Sequence, residues 1–334
     1  MKGIVYEGSN NLVLKDIEIP ELKEGHTLIK VAYSGICGGD LNIYFGTHPR
    51  AKAPLVLGHE FSGVIVGGHP TLVEGTPVTI NPILSCGKCL PCLTGNKHVC
   101  ESLKLIGIDM DGGMAEYVLV ENDQVVALPP GMDLLAGSLI EPVAVAVHTI
   151  RETKYTPGDS AVVFGCGAIG LATAIVLKTS GATNVTIVET NEFRLNMAKK
   201  IGFDVINPKE VDVIDAILDR TDGSGFDVVY DCAGHQSVAD MLPDAVKVKG
   251  SIVVVAGYKK APTLNLIKGM FKEFNILFVR VYREKDFKIA VEMVNNNPDF
   301  AKMITHILEK EEMQKGFDLM LDTSAKALKI VYKF

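Results

Sequence analysis

The sequence predicts an α/β protein in two parts, a β-rich section of short strands followed by a doubly wound parallel sheet. Two textures along the chain and one glycine-rich turn predict it. Over the first ~140 residues, short apolar runs are punctuated by turn signals, as in Leu28-Ile29-Lys30-Val31-Ala32 before Ser34-Gly35, which reads as antiparallel strands and turns. Near Pro142 the texture changes. From Ser160 onward, strand runs alternate with helical ones: Ala161–Phe164, then Ala168–Ser180, Val185–Val188 and Glu192–Ile201. Phe226–Tyr230, Ser251–Ala256 and Asn275–Val279 continue the series. Such alternation implies parallel strands with right-handed crossovers. The tail reads as two helices and a final strand, Ala327–Tyr332, returning to the first section. The domains expected are therefore 1–143, 144–280 and a return segment 281–334.

Composition narrows the function. The 334 residues are 47% hydrophobic and 22% charged, the balance of a folded chain rather than a disordered one. The net charge of −7, with no dense Lys/Arg block, argues against nucleic acid or a membrane surface as partner. No apolar run approaches the roughly 20 residues of a membrane helix. The first residues read as a strand rather than a signal peptide, which points to the cytoplasm. Seven cysteines, four of them between Cys86 and Cys100, suit metal binding in a reducing compartment better than disulfides.

Gly165-Cys166-Gly167-Ala168-Ile169-Gly170 is the glycine-rich turn. Alone it is a weak signal, but it follows a strand, opens a helix and has Glu189 about twenty residues on. The first glycines allow backbone to approach a pyrophosphate at a helix N-terminus, and Gly170 lets helix and sheet pack. Glu189 is suited to the ribose hydroxyls and would repel a 2′-phosphate, favouring NAD over NADP. The bland reading of Glu189 is a solvated carboxylate at a strand end.

Two metal sets stand out. Cys86, Cys89, Cys92 and Cys100, in a lobe at about 85–101, can close a tetrahedral zinc shell with no vacancy, a structural site. Cys37, His59, Glu60 and Glu141 are more scattered. Singly they read as a buried thiol, a satisfied histidine and solvated carboxylates. Together they suit Zn²⁺ with a position left for substrate.

These stretches resemble the zinc-containing medium-chain dehydrogenases, close to the polyol branch with its sorbitol (L-iditol), butanediol, galactitol-phosphate and threonine dehydrogenases. The resemblance is carried by Gly35-Ile36-Cys37-Gly38-x-Asp40, Gly58-His59-Glu60-x-x-Gly63, the four-cysteine lobe, Asp111-Gly112-Gly113-x-Ala115-Glu116-Tyr117, Ile140-Glu141-Pro142 and the glycine-rich turn. It implies a GroES-like β catalytic domain with an inserted Rossmann domain, and zinc and NAD as cofactors. It further implies that Cys37, His59 and Glu60 bind the catalytic zinc and that Glu141 approaches it directly or through water. Asp40 would orient the imidazole of His59, while Arg194 and Arg280 would contact the cofactor. A homodimer or homotetramer is expected on the same ground. The chain departs from the family at Gly39 and Asn42, where a Ser or Thr and often a His pass the alcohol proton to solvent.

The activity expected is zinc-dependent oxidation of a secondary alcohol to a ketone with hydride transfer to NAD. A neighbouring hydroxyl can fill the open metal position, which favours polyols, sugar alcohols and vicinal diols. The absence of Trp argues against a large aromatic alcohol. The alternatives are oxidation of an amino alcohol such as threonine, a non-catalytic zinc- and dinucleotide-binding sensor, and a zinc-free reductase of the same fold.

Overall fold

The structure is a computed structural model and describes residues 1–322 and 324–334. It divides into two compact units, one of Met1–Pro142 with Arg283–Phe334 and one of Val143–Tyr282. The first opens with β1 (Lys2–Gly8), β2 (Asn11–Asp16), β3 (His26–Gly35), α1 (Gly38–Tyr44), β4 (Leu55–Val56), β5 (Glu60–Gly67), β6 (Pro77–Ile80) and β7 (Ile83–Leu84). Then follow α2 (Leu90–Leu93), β8 (Lys104–Leu105), β9 (Tyr117–Glu121), β10 (Val125–Ala127) and α3 (Leu134–Gly137), and α4 (Ile140–Arg151) begins in the first unit and continues into the second.

The second unit contains β11 (Ser160–Phe164), α5 (Ala168–Thr179), β12 (Asn184–Val188), α6 (Glu192–Ile201), β13 (Asp204–Ile206) and α7 (Val213–Asp219). It continues with β14 (Phe226–Asp231), α8 (Gln236–Ala245), β15 (Val246–Val254), α9 (Leu266–Lys272) and β16 (Asn275–Phe278). The tail adds α10 (Glu284–Asn296), β17 (Ile304–Glu309), α11 (Met313–Leu321) and β18 (Lys329–Lys333).

The second unit is the doubly wound sheet of the Rossmann type. Its six strands run in the order β13-β12-β11-β14-β15-β16, every pair parallel. The order turns around β11, and such a reversal is where these sheets bind ligands. Strands covered on both faces are apolar throughout, and Ala161, Val162, Val163 and Phe164 are all fully buried. Asp204–Ile206 is a sixth strand that hydrophobic pattern alone does not reveal, because three residues are too few to show a period.

The first unit is built on the sheet β10-β6-β5-β3-β18-β17, with β9 pairing the opening half of β3. A core of Ile29, Val31, Phe61, Ile65, Val78, Ile80, Ile106, Val118 and Val120 underlies it. β3 is central: its last residues lie between β5, through Gly35↔Glu60, and β18, through Gly35↔Val331. The tail contributes two strands rather than the single one expected, since β17 runs parallel to β18. Its alternating sequence, Ile304-Thr305-His306-Ile307-Leu308-Glu309, is too polar to stand out as a strand.

Candidate active site and metal centres

Three elements of the first unit deliver the mixed donor set. Cys37 follows β3 as the N-cap of α1, His59 leads into β5, and Glu60 is the first residue of β5. The N-cap is a closed box: Asp40 Oδ2 accepts the Cys37 N–H at 2.9 Å, and Cys37 Sγ accepts the Gly39 N–H at 3.4 Å. The backbone amide of Gly39 thus holds the sulfur that its missing side chain cannot serve.

The ligand atoms of Cys37, His59 and Glu60 lie within 4.8 Å of one another. His59 is 5% exposed and Glu60 1%. Glu141, in the first turn of α4 and 6% exposed, stands outside that trio, although its charge is felt by His59. Asp40 Oδ1 faces His59 Nδ1 at 3.7 Å, longer than a hydrogen bond, and both atoms are buried without a hydrogen-bond partner among the described residues.

Electrostatics mark the trio as a site for a cation. Burial opposes protonation of His59, yet Cys37, Asp40 and Glu141 raise its pKa well above the ordinary value. Burial raises the Cys37 thiol and likewise the carboxyl of Asp40. A thiol, an imidazole and carboxylates massed out of water need positive charge, and their types match zinc.

Sequence reasoning missed one participant, Lys329 on β18. It is 1% exposed, donates to Glu60 Oε2, and donates to the Ile36 carbonyl at 2.9 Å. The available signal was a lysine inside the otherwise apolar run Ala327-Leu328-Lys329-Ile330-Val331-Tyr332.

The four-cysteine lobe closes on itself. The sulfurs of Cys86, Cys89, Cys92 and Cys100 group within the same 4.8 Å, with Cys89–Cys92 at 3.4 Å and Cys89–Cys100 at 3.8 Å. Sulfurs around a tetrahedral zinc, each ~2.3 Å from the ion, stand about 3.8 Å apart. Backbone N–H groups of Lys88 and Cys89 lower the Cys86 thiol to about 6, which favours the thiolate that zinc requires.

In the second unit the glycine-rich turn has the geometry a dinucleotide needs. Gly165 has φ +92°, a conformation L side chains rarely adopt. A Cβ on Gly170 would come within 1.9 Å of the Gly165 carbonyl, whereas one on Gly167 would meet nothing within 4 Å. Gly170 therefore packs helix on sheet, and Gly167 leaves open the N-terminus of α5, where Ala168 and Ile169 form the first turn. Glu189, just past β12, accepts N–H groups from Cys166 at 2.8 Å, Thr190 at 2.6 Å and Asn191 at 2.9 Å. Its carboxylate braces the turn. Arg194 lies on α6 with its Nε lacking a hydrogen-bond partner among the described residues, and Arg280 is exposed beyond β16.

A Rossmann unit with a glycine-rich turn, joined in one chain to a β unit with an open and a closed metal-binding cluster, defines a metal-dependent dehydrogenase. Residues 23–130 match the alcohol dehydrogenase GroES-like domain, and residues 168–296 match the zinc-binding dehydrogenase domain. An L-threonine 3-dehydrogenase of Bacillus velezensis is 36% identical, the match covering 96% of this chain and 95% of that protein. A sorbitol dehydrogenase of Halalkalibacterium halodurans is 33% identical over 99% of this chain and 98% of its own. An alcohol dehydrogenase from E. coli CFT073, solved in complex with NADH, superposes with a TM-score of 0.92 at 28% identity, covering 100% of this chain and 99% of that one. The chain belongs to the zinc-dependent medium-chain dehydrogenase family, in its polyol branch. It is an oxidoreductase acting on small molecules, with zinc and a nicotinamide dinucleotide as cofactors. Among the described residues no helix is long and apolar enough to cross a membrane.

Proposed function

We propose that the protein oxidises the secondary hydroxyl of a polyol, sugar alcohol or vicinal diol to a ketone, with hydride transfer to NAD. The observation that carries this reading is the trio of half-buried Cys37 with buried His59 and Glu60, close enough to share one ion; three protein ligands on a tetrahedral ion leave the fourth position for a substrate oxygen. Glu141 completes the site's charge. Cys86, Cys89, Cys92 and Cys100 hold a structural zinc. Gly165, Gly167, Ala168, Ile169 and Gly170 receive the pyrophosphate, with Arg194 and Arg280 as cationic contacts. The negative charge of Glu189 selects NAD, because a 2′-phosphate beside it would be repelled.

When bound, zinc supplies a Lewis acid that acidifies a hydroxyl, and NAD supplies the hydride acceptor. The chain must then take the hydroxyl proton. Gly39 has no side chain and Asn42 does not titrate. His48 is unsuited too: its Nδ1 accepts the N–H groups of Arg50 at 3.3 Å and Ala51 at 3.2 Å. The nitrogen that could take a proton is thus already an acceptor, and burial, helped by Arg50, lowers the ring's pKa. Glu60 is already engaged by Lys329. We assign the proton to Glu141, a buried carboxylate in the first turn of α4 whose charge is felt by His59.

A screen of polyols, diols and simple alcohols with NAD, with zinc measured in the same preparation, tests the reading. Turnover of a polyol or diol by zinc-loaded protein is expected. Zinc-loaded protein that binds NADH and oxidises none of them would overturn the assignment. A second reading, oxidation of the hydroxyl of threonine, is favoured by the 36% identity to an enzyme of that name, and threonine belongs in the same screen.

Association into a homodimer or homotetramer is supported by an apolar surface at one edge of the Rossmann sheet. Leu266, Ile267, Met270 and Phe271 of α9 and Phe278 of the edge strand β16 are each at least 67% exposed. Apolar side chains gathered at an edge strand are what a second copy of the chain would cover. The unpaired cysteines fit a reducing, cytoplasmic setting.

A further inference from the structure

We propose that Lys329 is a positioning residue that holds one oxygen of Glu60, so that the carboxylate offers a metal only the other. The inference rests on the reading of Cys37, His59 and Glu60 as metal ligands.

The arrangement is built into three neighbouring strands. Glu60 on β5 is paired with Gly35 on β3, and Gly35 with Val331 on β18. Lys329 lies two residues before Val331 and so shares its face of the strand. The two long side chains meet over Gly35, where a Cβ would come within 2.6 Å of Glu60 Oε2 and 3.0 Å of Lys329 Cε. Both side chains are almost wholly out of water. A lysine buried so deeply loses its charge unless anions surround it. Here Nζ meets Glu60 Oε2 and the Ile36 carbonyl, the latter at 2.9 Å.

The consequence concerns the open position. A carboxylate free to bind through both oxygens can occupy two places around an ion. With Oε2 committed to the ammonium, one oxygen is left, and the position needed by the substrate hydroxyl is protected.

Two substitutions move Glu60 in opposite directions. K329M fills similar space but donates nothing, freeing both oxygens for the ion. K329R presents a planar fork that covers both oxygens and draws the carboxylate away. The measurement is the rate at which zinc-loaded, full-length protein releases zinc to a chelator, in the kinetic phase that C37A abolishes. About tenfold slower release is expected from K329M and about tenfold faster from K329R, the scale typical of lost outer partners of a ligand. Shifts in the same direction, or none in either variant, would overturn the proposal, since loss of packing alone would loosen both. Should K329M not fold, K329R decides alone, and unchanged or slower release sinks the idea. A wild-type protein with no zinc phase that depends on Cys37 would bring down the ligand reading itself, and this inference with it.

Discussion

The two cysteine-containing clusters differ in where their side chains come from, and on the function proposed above that difference separates a staple from a working centre. The lobe draws all four donors from one stretch of fifteen residues, Cys86 to Cys100, and uses sulfur only. The other cluster gathers a thiol and an imidazole from the segments flanking β3 and β5 and a carboxylate from the start of β5, with a lysine from the last strand behind them. A closed sulfur shell leaves nowhere for a substrate. A mixed and incomplete one, held by the sheet rather than by its own loop, leaves a position open and can keep it open.

The contrast predicts opposite outcomes from removing one thiol. Cys37→Ala should abolish turnover and about halve the zinc per chain, while the thermal midpoint moves little, because the sheet carries the site. Cys89→Ala should also cost about half the zinc, but its main effect should be a midpoint lower by about 10 °C or more. A structural zinc contributes several kcal/mol, and each is worth about 2–4 °C at this size. Metal analysis, calorimetry and initial rates on both variants decide the matter. Equal loss of activity and of stability in the two would erase the distinction.

Within the open site, Glu141→Gln isolates the proton. Turnover should fall by about 10²–10⁴-fold, the range for loss of a general base, with zinc retained and the acid limb of the pH–rate profile changed. An unchanged profile would return the proton to solvent by another route. Smaller still is Gly35→Ala. Its methyl group meets the Glu60–Lys329 pair at 2.6 Å and 3.0 Å, an overpacking worth about 1–3 kcal/mol in chemical denaturation. A neutral result there would mean that the pair is looser than drawn.

The same contrast explains what could be read from the chain alone. The lobe and the glycine-rich turn are local, and their spacing shows in a few consecutive residues. The alternation of strand and helix between Ser160 and Phe278 exposes the parallel sheet, although Asp204–Ile206 is too short to announce itself. The open site is not local. Cys37, His59 and Glu60 were singled out by resemblance, and their proximity follows from strand pairing, which no periodicity encodes. Asp40 was expected to orient His59, yet its clearest bond is to the Cys37 amide, a capping role set by helix geometry. Lys329 escaped notice because its partner is 269 positions away in sequence.

The smallest effect expected lies at the margin of the open site, in the acid stability of the fold. His48, whose Nδ1 accepts two backbone N–H groups, is partly withdrawn from water, which disfavours the charged ring; Arg50 adds to this, Asp109 opposes it, and His59 adds a little more. Its pKa in the folded protein is therefore below the 6.5 of a free histidine. The sign follows from linkage: below pH ~6.5 the unfolded chain binds a proton at this position that the folded chain resists, so stability declines as the pH falls through that range. Above it, both states are neutral here and the residue adds no pH dependence. Asn in place of His48 keeps an oxygen acceptor for the two amides and removes the titration. His48→Asn should therefore lose less stability than the wild type between pH 7 and pH 5, as measured by denaturant midpoints, with the two curves parallel above pH 7. The four-cysteine lobe is untouched by this substitution, so a difference confined to the acid range belongs to the loop beside the open site. Identical slopes throughout would mean that the ring is protonated without losing its amide partners, and His48 would return as a candidate base.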